Sequence, residues 1–247
     1  MRSLLLVLAT TFLVAQSVCA TPLMDDFSFL GESPEFVAFV DAVRSTGDAV
    51  KAEQLRQTMR KTESGDIADA VLQIRSATML ARLYTELIPK NLERARSLLT
   101  EAEVLLPLVK DQQFFSLILS AEIDSIWYLV NPKNLGKGIN SNAALSRAYR
   151  QFPLQVSAIL MKANSMLYAP AFAGRDLDGA QSLLLSLLEQ SQQLNTWDKA
   201  NLYSSLGYLS MKRKQWQTAQ GYLLAAKVLY GFDPNLDTYL KTVEEHL

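Results

Sequence analysis

The chain has 247 residues, with 24 Lys and Arg against 25 Asp and Glu and a formal net charge of −1. That balance lacks the concentrated positive field that phosphate binding requires, so nucleic acid is excluded as a default partner. One cysteine and one histidine exclude a disulfide framework and transition-metal sites of the usual composition, so no metal and no cofactor is expected.

The first 20 residues read as a secretory signal peptide. Arg2 supplies a basic start, Leu4 to Ala15 form an apolar run, and Val18 and Ala20 put small side chains at the −3 and −1 positions of a cleavage site after Ala20. The apolar run is about a dozen residues, short of the ~20 needed to span a bilayer. An exported chain, periplasmic or secreted, with no stable membrane span after cleavage is therefore expected. Cys19 follows Val18 and has Gln16 three positions before it, a poor match to a lipidation motif. Cleavage would remove this only cysteine, leaving the core to hold the protein together. The lack of an Asn-x-Ser/Thr sequon leans toward a bacterial periplasm.

From residue 33 onward the apolar pattern has helical period, and no run alternates as a strand would. Residues 21–32 read as an irregular lead-in. Ser33-Pro34-Glu35 predicts a helix start, with Ser as cap and Pro in the first turn. Gly47 and Asp48 interrupt, and a more polar helix follows to about Thr62. After the turn "TESGD" (62–66), Ile67 to Leu87 form a long helix with one apolar face. Pro89, Pro107, Pro132, Pro153, Pro170 and Pro234 fall between apolar segments, where helices break. The predicted fold class is all-α, with about eleven helices after the signal.

A repeat underlies these helices. Four segments, "NLERARSLLTEA" (91–102), "NLGKGINSNAAL" (134–145), "DLDGAQSLLLSL" (176–187) and "QWQTAQGYLLAA" (215–226), open with a polar residue, then Leu or Trp, then a small residue three later. The small residues Ala95, Gly138, Ala180 and Ala219 recur at intervals of about 40 residues, the spacing of stacked helix pairs. Positions 0, 3, 7 and 10 share one helical face, so each copy carries an apolar stripe with a notch for a neighbouring helix. Ala121, Ala163 and Gly207 hold the matching small position one helix earlier. The last pair has a tight turn, while the middle two carry extensions of equal length in "YLVNPKN" (128–134) and "YAPAFAGRD" (168–176).

The last copy, with Tyr203, Leu206, Gly207, Trp216, Ala219, Leu223 and Ala226, resembles the tetratricopeptide repeat (TPR) family. It departs from that pattern at Ser210, where an aromatic is usual, and at Gly231, where Pro is usual. The resemblance implies an α-solenoid of antiparallel helix pairs over 77–234, after a signal peptide (1–20) and lead-in and capping helices (21–76), and before a C-terminal capping helix (235–247). The chain is also similar to exported bacterial TPR proteins generally and to the TatT-like proteins of TRAP transporters, which are thought to handle small hydrophobic ligands.

No residue set carries an evident chemistry. His246 is penultimate, and "NLGKGIN" lacks the spacing of a phosphate loop. Glu122 and Asp124 sit two apart on a helix and diverge, while Asp176 and Asp178 suit a helix start. "KRK" (212–214) reads as a solvated turn. No catalytic residue is therefore predicted. The TPR resemblance puts the first helix of each pair on a concave groove, implying candidate groove residues Phe115, Leu119, Glu122, Leu160, Asn164, Leu167, Asn201, Ser204 and Tyr208. Burial of some of these between helices is the alternative. Tyr128, Tyr168 and Phe172 in the extensions are candidate loop contacts. The expected function is a non-catalytic periplasmic scaffold or adaptor binding a protein or peptide segment. The alternative is a ligand-binding accessory subunit of a transporter that takes a small hydrophobic molecule.

Overall fold

A computed structural model describes residues 22–61, 65–170 and 174–247. The signal-peptide reading (1–20, with Cys19 and Ala20) and the loop residue Phe172 lie outside the described residues. Among the described residues there are eleven α-helices and no strand; the one β-type pairing is an isolated parallel bridge between Met24 and Gln155. The fold is all-α.

The helix starts follow local chemistry. Helix α1 (Pro34–Asp41) begins on Ser33, whose hydroxyl accepts from the Phe36 N–H at 3.2 Å. A π-helical turn (Ala42–Thr46) then ends on Gly47 with φ 65°, and the Phe232 ring fills the place a Cβ would take. Helix α2 (Ala49–Lys61) is followed by α3 (Ile67–Glu86), capped by Asp66, and α4 (Leu92–Leu105), capped by Asn91. Next come α5 (Gln113–Val130), α6 (Leu135–Gln151), α7 (Val156–Tyr168) and α8 (Leu177–Leu188), the last capped by Asp176. Helix α9 (Thr196–Lys212) starts on Asn195, α10 is Trp216–Leu229, and α11 (Pro234–Glu244) starts on Asp233.

Helices α3/α4, α5/α6, α7/α8 and α9/α10 pack as successive antiparallel pairs, and α5, α7 and α9 each contact the pair before them. The notches explain the closeness. Ala95, Ala180 and Ala219 are fully buried, as are Ala121 and Ala163 on the preceding helices. At Gly207 an added Cβ would lie 2.6 Å from the Leu223 side chain and 3.3 Å from its backbone nitrogen. Gly207→Ala would gain about 1 kcal/mol of helix propensity but overpack against α10 by about 1–3 kcal/mol. A net loss of up to ~2 kcal/mol is expected in urea unfolding, whereas a gain would show that α10 yields.

One copy departs from the repeat. In α6 Leu135 is 62% exposed and Asn142 is exposed, while Ser141, Ala144, Leu145 and Ala148 form the buried face. The stripe has turned because Tyr128 lies over Gly138, its ring 3.5 Å from where a Cβ would be, and the Ser141 hydroxyl donates to the Ala121 carbonyl at 2.8 Å. The two extensions also differ in kind. The first continues α5 through Val130 as helix, whereas the second is the connection after Tyr168. Equal length in sequence thus hides a difference: α5 runs three residues into the first extension, whereas α7 ends at the first residue of the second.

The lead-in is part of the core. The Met24 N–H donates to the Leu154 carbonyl and the Val156 N–H donates to the Met24 carbonyl, each at 2.9 Å. Phe27 is buried with its ring 5.3 and 5.8 Å from those of Phe115 and Phe114, and the Arg75 guanidinium lies 4.8 Å above it. This segment spans the starts of α5, α7 and α9, since the Asn195 amide also donates to Asp25 at 3.0 Å. The 76/77 boundary read from sequence falls inside α3, and one core cluster runs from Phe27 to Ala158.

The first and last elements meet. Arg44, 8% exposed, pairs with Asp233 at 3.3 Å and Glu86 at 4.0 Å, and its guanidinium lies 5.1 Å from the Trp197 ring centroid. Its carbonyl accepts from the Phe232 N–H at 2.8 Å. One side chain therefore joins the end of α3, the start of α9 and the start of α11.

Candidate functional site

The groove positions divide into three groups. Leu119, Leu160 and Leu167 are buried in the core, so they belong to the packing between helices and present no surface. Phe115 and Glu122 are engaged: Phe115 holds Phe27 and Phe29, and Glu122 accepts from Arg75 at 2.7 Å. Asn164, Asn201, Ser204 and Tyr208 are half-buried. Asn164 accepts from the Ser205 hydroxyl at 2.7 Å, and the Asn201 amide donates to the Trp197 carbonyl at 3.0 Å. Of the loop candidates, Tyr128 packs on α6, whereas Tyr168 stacks on Tyr208.

Tyr168 and Tyr208 lead to a cluster that no motif marks. Their centroids are 4.7 Å apart, and Tyr208 meets Tyr239 of α11 at 4.9 Å, so three rings from α7, α9 and α11 form one aromatic wall. The Lys212 ammonium lies 4.8 Å from the Tyr208 ring. From α3, Arg82 stands within electrostatic range of Tyr168, Tyr239 and Asp233. Its Nε donates to Glu86 at 2.8 Å.

Arg82 and the end ring of the aromatic wall both carry open surface. The Arg82 side chain is 51% exposed and Tyr168 is 44% exposed, so solvent reaches both. Yet burial pushes the Tyr168 phenol far above its ordinary range, with Tyr239 adding to the effect and Arg82 opposing it. The Tyr239 phenol is pushed up to about 12, again chiefly by burial. The Glu86 carboxylate beside Arg82 holds that guanidinium more firmly protonated than usual, with Asp233 and Tyr168 contributing.

The acidic pairs singled out in sequence have separate partners. Glu122 pairs with Arg75, Asp124 with Lys137 at 2.7 Å, Asp176 caps α8, and Asp178 pairs with Arg213. No group of three His, Cys, Asp or Glu fit to hold a metal occurs among the described residues. No helix among them is long and apolar enough to cross a membrane.

Sequence reasoning missed Arg82, Glu86, Asp233 and Tyr239. Arg82 and Glu86 are spaced i, i+4 on α3, which reads as an ordinary surface ion pair. Asp233 reads as the cap of a terminal helix, and Tyr239 lies in the segment taken as an end cap. Only the meeting of the chain's two ends brings Glu86 and Asp233 to one side chain, Arg44. Comparison of the chain with protein-family models, with curated proteins and with solved structures returns no match.

Proposed function

We propose that this is a non-catalytic binding protein that takes a small, largely apolar molecule against the aromatic wall of Tyr168, Tyr208 and Tyr239. The observation that carries this reading is the aromatic wall of Tyr168, Tyr208 and Tyr239, whose end ring, Tyr168, keeps 44% of its surface open. An aromatic wall with a few directed polar groups is what small-ligand sites present. It favours the ligand-binding reading over an open groove for a long peptide, because Phe115 and Glu122 are already occupied by the chain's own lead-in and by Arg75. The TPR-like repeats would supply the frame, and export by the segment 1–20 would place the protein in a periplasm or outside the cell. Its place beside a transporter follows from the TatT-like resemblance.

The scaffold reading keeps one supporting observation. The backbone between α6 and α7 holds the extended residue Met24 by two hydrogen bonds, so the molecule can accept an extended segment. The test is to purify the protein from a producing cell, extract it with organic solvent and identify what is released. The expected result is a stoichiometric small molecule, displaced on changing Tyr168 to Asp. A ligand-free protein that instead binds peptides competing with the lead-in would overturn the reading.

A further inference from the structure

We propose that residues 22–30 form an exchangeable arm, and that the track they lie in also receives the same arm from a second copy of this chain. The proposal is independent of the ligand-binding role and starts from what the track requires of whatever fills it.

The track is specific for an extended segment. It supplies the Leu154 carbonyl and the Val156 N–H, both taken by Met24 in its bridge with Gln155. Gln155 is 2% exposed, and its side-chain carbonyl accepts the Asp26 N–H at 3.1 Å. The Asn195 amide donates to the Asp25 carboxylate at 3.0 Å. Phe27 fills a socket beside the Phe114 and Phe115 rings, with the Arg75 guanidinium over its face. An empty track would leave the Gln155 carbonyl and two backbone groups without these partners and uncover an aromatic socket. Occupation is therefore favoured, and a second copy carries an arm of the same chemistry.

The contacts that seat the arm are long-range, so a second copy can make them equally well. Gln155 and Asn195 lie 129 and 170 positions from the arm residues they hold. Between the arm and α1, Gly31 and Glu32 are exposed, and nothing lies within 4 Å of where a Gly31 Cβ would be. A bond from the Ser33 N–H to the Leu30 carbonyl, at 3.3 Å, spans this joint. Opening it would swing the arm out as a unit while Ser33 still caps α1. Exchange remakes the contacts that it breaks, and each copy gives and takes one arm, so the pair closes with two-fold symmetry. What opposes it is the effective concentration of an arm tethered near its own seat, on the order of millimolar for a short link.

The test refolds the purified chain from urea at ~10 µM and at ~1 mM, then measures the dimer share by analytical ultracentrifugation at one low concentration. The share is expected to rise about tenfold or more between the two, because only at the higher does a second copy's arm rival the chain's own. A cross-link identifies the contact. Two pools with different tags, both Cys19→Ser, carry Met24→Cys in one and Leu154→Cys in the other. Met24 and Leu154 are 50% and 36% exposed, so neither change disturbs the core. A short bismaleimide then joins unlike tags only where the arm of one copy lies in the track of the other. Joined pairs are expected when the pools refold together at ~1 mM, and not when they refold apart and are mixed at ~10 µM. Deleting Gly31 and Glu32 shortens the reach by about 7 Å and should give dimer already at ~10 µM. Should that variant not fold, the cross-link across the unaltered joint still decides. A monomer at every refolding concentration, or a folded deletion variant that stays monomeric, overturns the proposal. So does a dimer whose pools do not join, since another surface then holds it.

Discussion

Changing Arg44 to Met is expected to cost about 3–5 kcal/mol of stability and to let the two ends of the molecule separate. Arg44 is buried, and removing one member of a buried ion pair leaves the other charge without compensation. Asp233 would lose its ion-pair partner and the Trp197 ring its cation, while Glu86 keeps Arg82. Asp233 would keep its role as the α11 cap, so the helices themselves should persist. Urea unfolding measures the loss, and small-angle scattering measures the separation. A loss below about 1 kcal/mol would mean that the Phe232 contacts at Gly47 and the Arg44 backbone hold the ends without the ion pair.

The second large effect depends on pH. Asp198, in the first turn of α9, is 8% exposed, and burial raises its carboxyl to about 7; Asp25 adds to the rise, while Arg75 and the Asn195 amide oppose it. The Asn195 amide donates to both Asp25 and Asp198, at 3.0 and 2.8 Å, and so links the lead-in to α9. An unfolded Asp titrates near 3.8, so between there and about 7 the folded state holds more protons than the unfolded one. Stability is therefore fullest below pH ~4, falls as pH rises through this window, and is level above it. The full difference is about 4 kcal/mol as an upper limit, at 1.36 kcal/mol per unit. Asp198→Asn can still accept from Asn195, so the variant should match the parent near pH ~4 and exceed it by several kcal/mol near pH ~8. Equal unfolding midpoints for parent and variant across that range would show that Asp198 ionises without cost. Hydrogen exchange at the Met24 amide should quicken with pH in the parent beyond the chemical trend, and not in the variant.

Three of the four repeat copies were legible because their rule is local. Alternate apolar and small residues at 0, 3, 7 and 10 bury one face of any helix that carries them, and Ala95, Ala180 and Ala219 are buried with their stripes. The copy over α6 was misread for a tertiary reason: Tyr128 occupies the space above Gly138 and rotates the buried face to Ser141 and Ala144. Among the groove candidates, sequence could not separate Leu160 and Leu167 from Asn164, since all lie on one helix and differ only in which neighbour covers them.

By itself, then, the sequence determined the helices, their caps and the pairing of neighbours, because each depends on residues within a few turns of one another. "LGYLSMKRKQWQTAQGYLLAAKVLYGFDP" specifies the α9/α10 hairpin through Gly207, Ala219 and Leu223 alone. Tertiary structure decided what the array encloses. Arg44 and Asp233 are 189 residues apart, as far as most of the chain is long, and nothing local requires them to meet. That contact holds the end of α3 and the start of α11 on one buried side chain. Charge and burial at such a place depend on what the rest of the chain brings near, and a pattern of neighbouring residues does not carry that information.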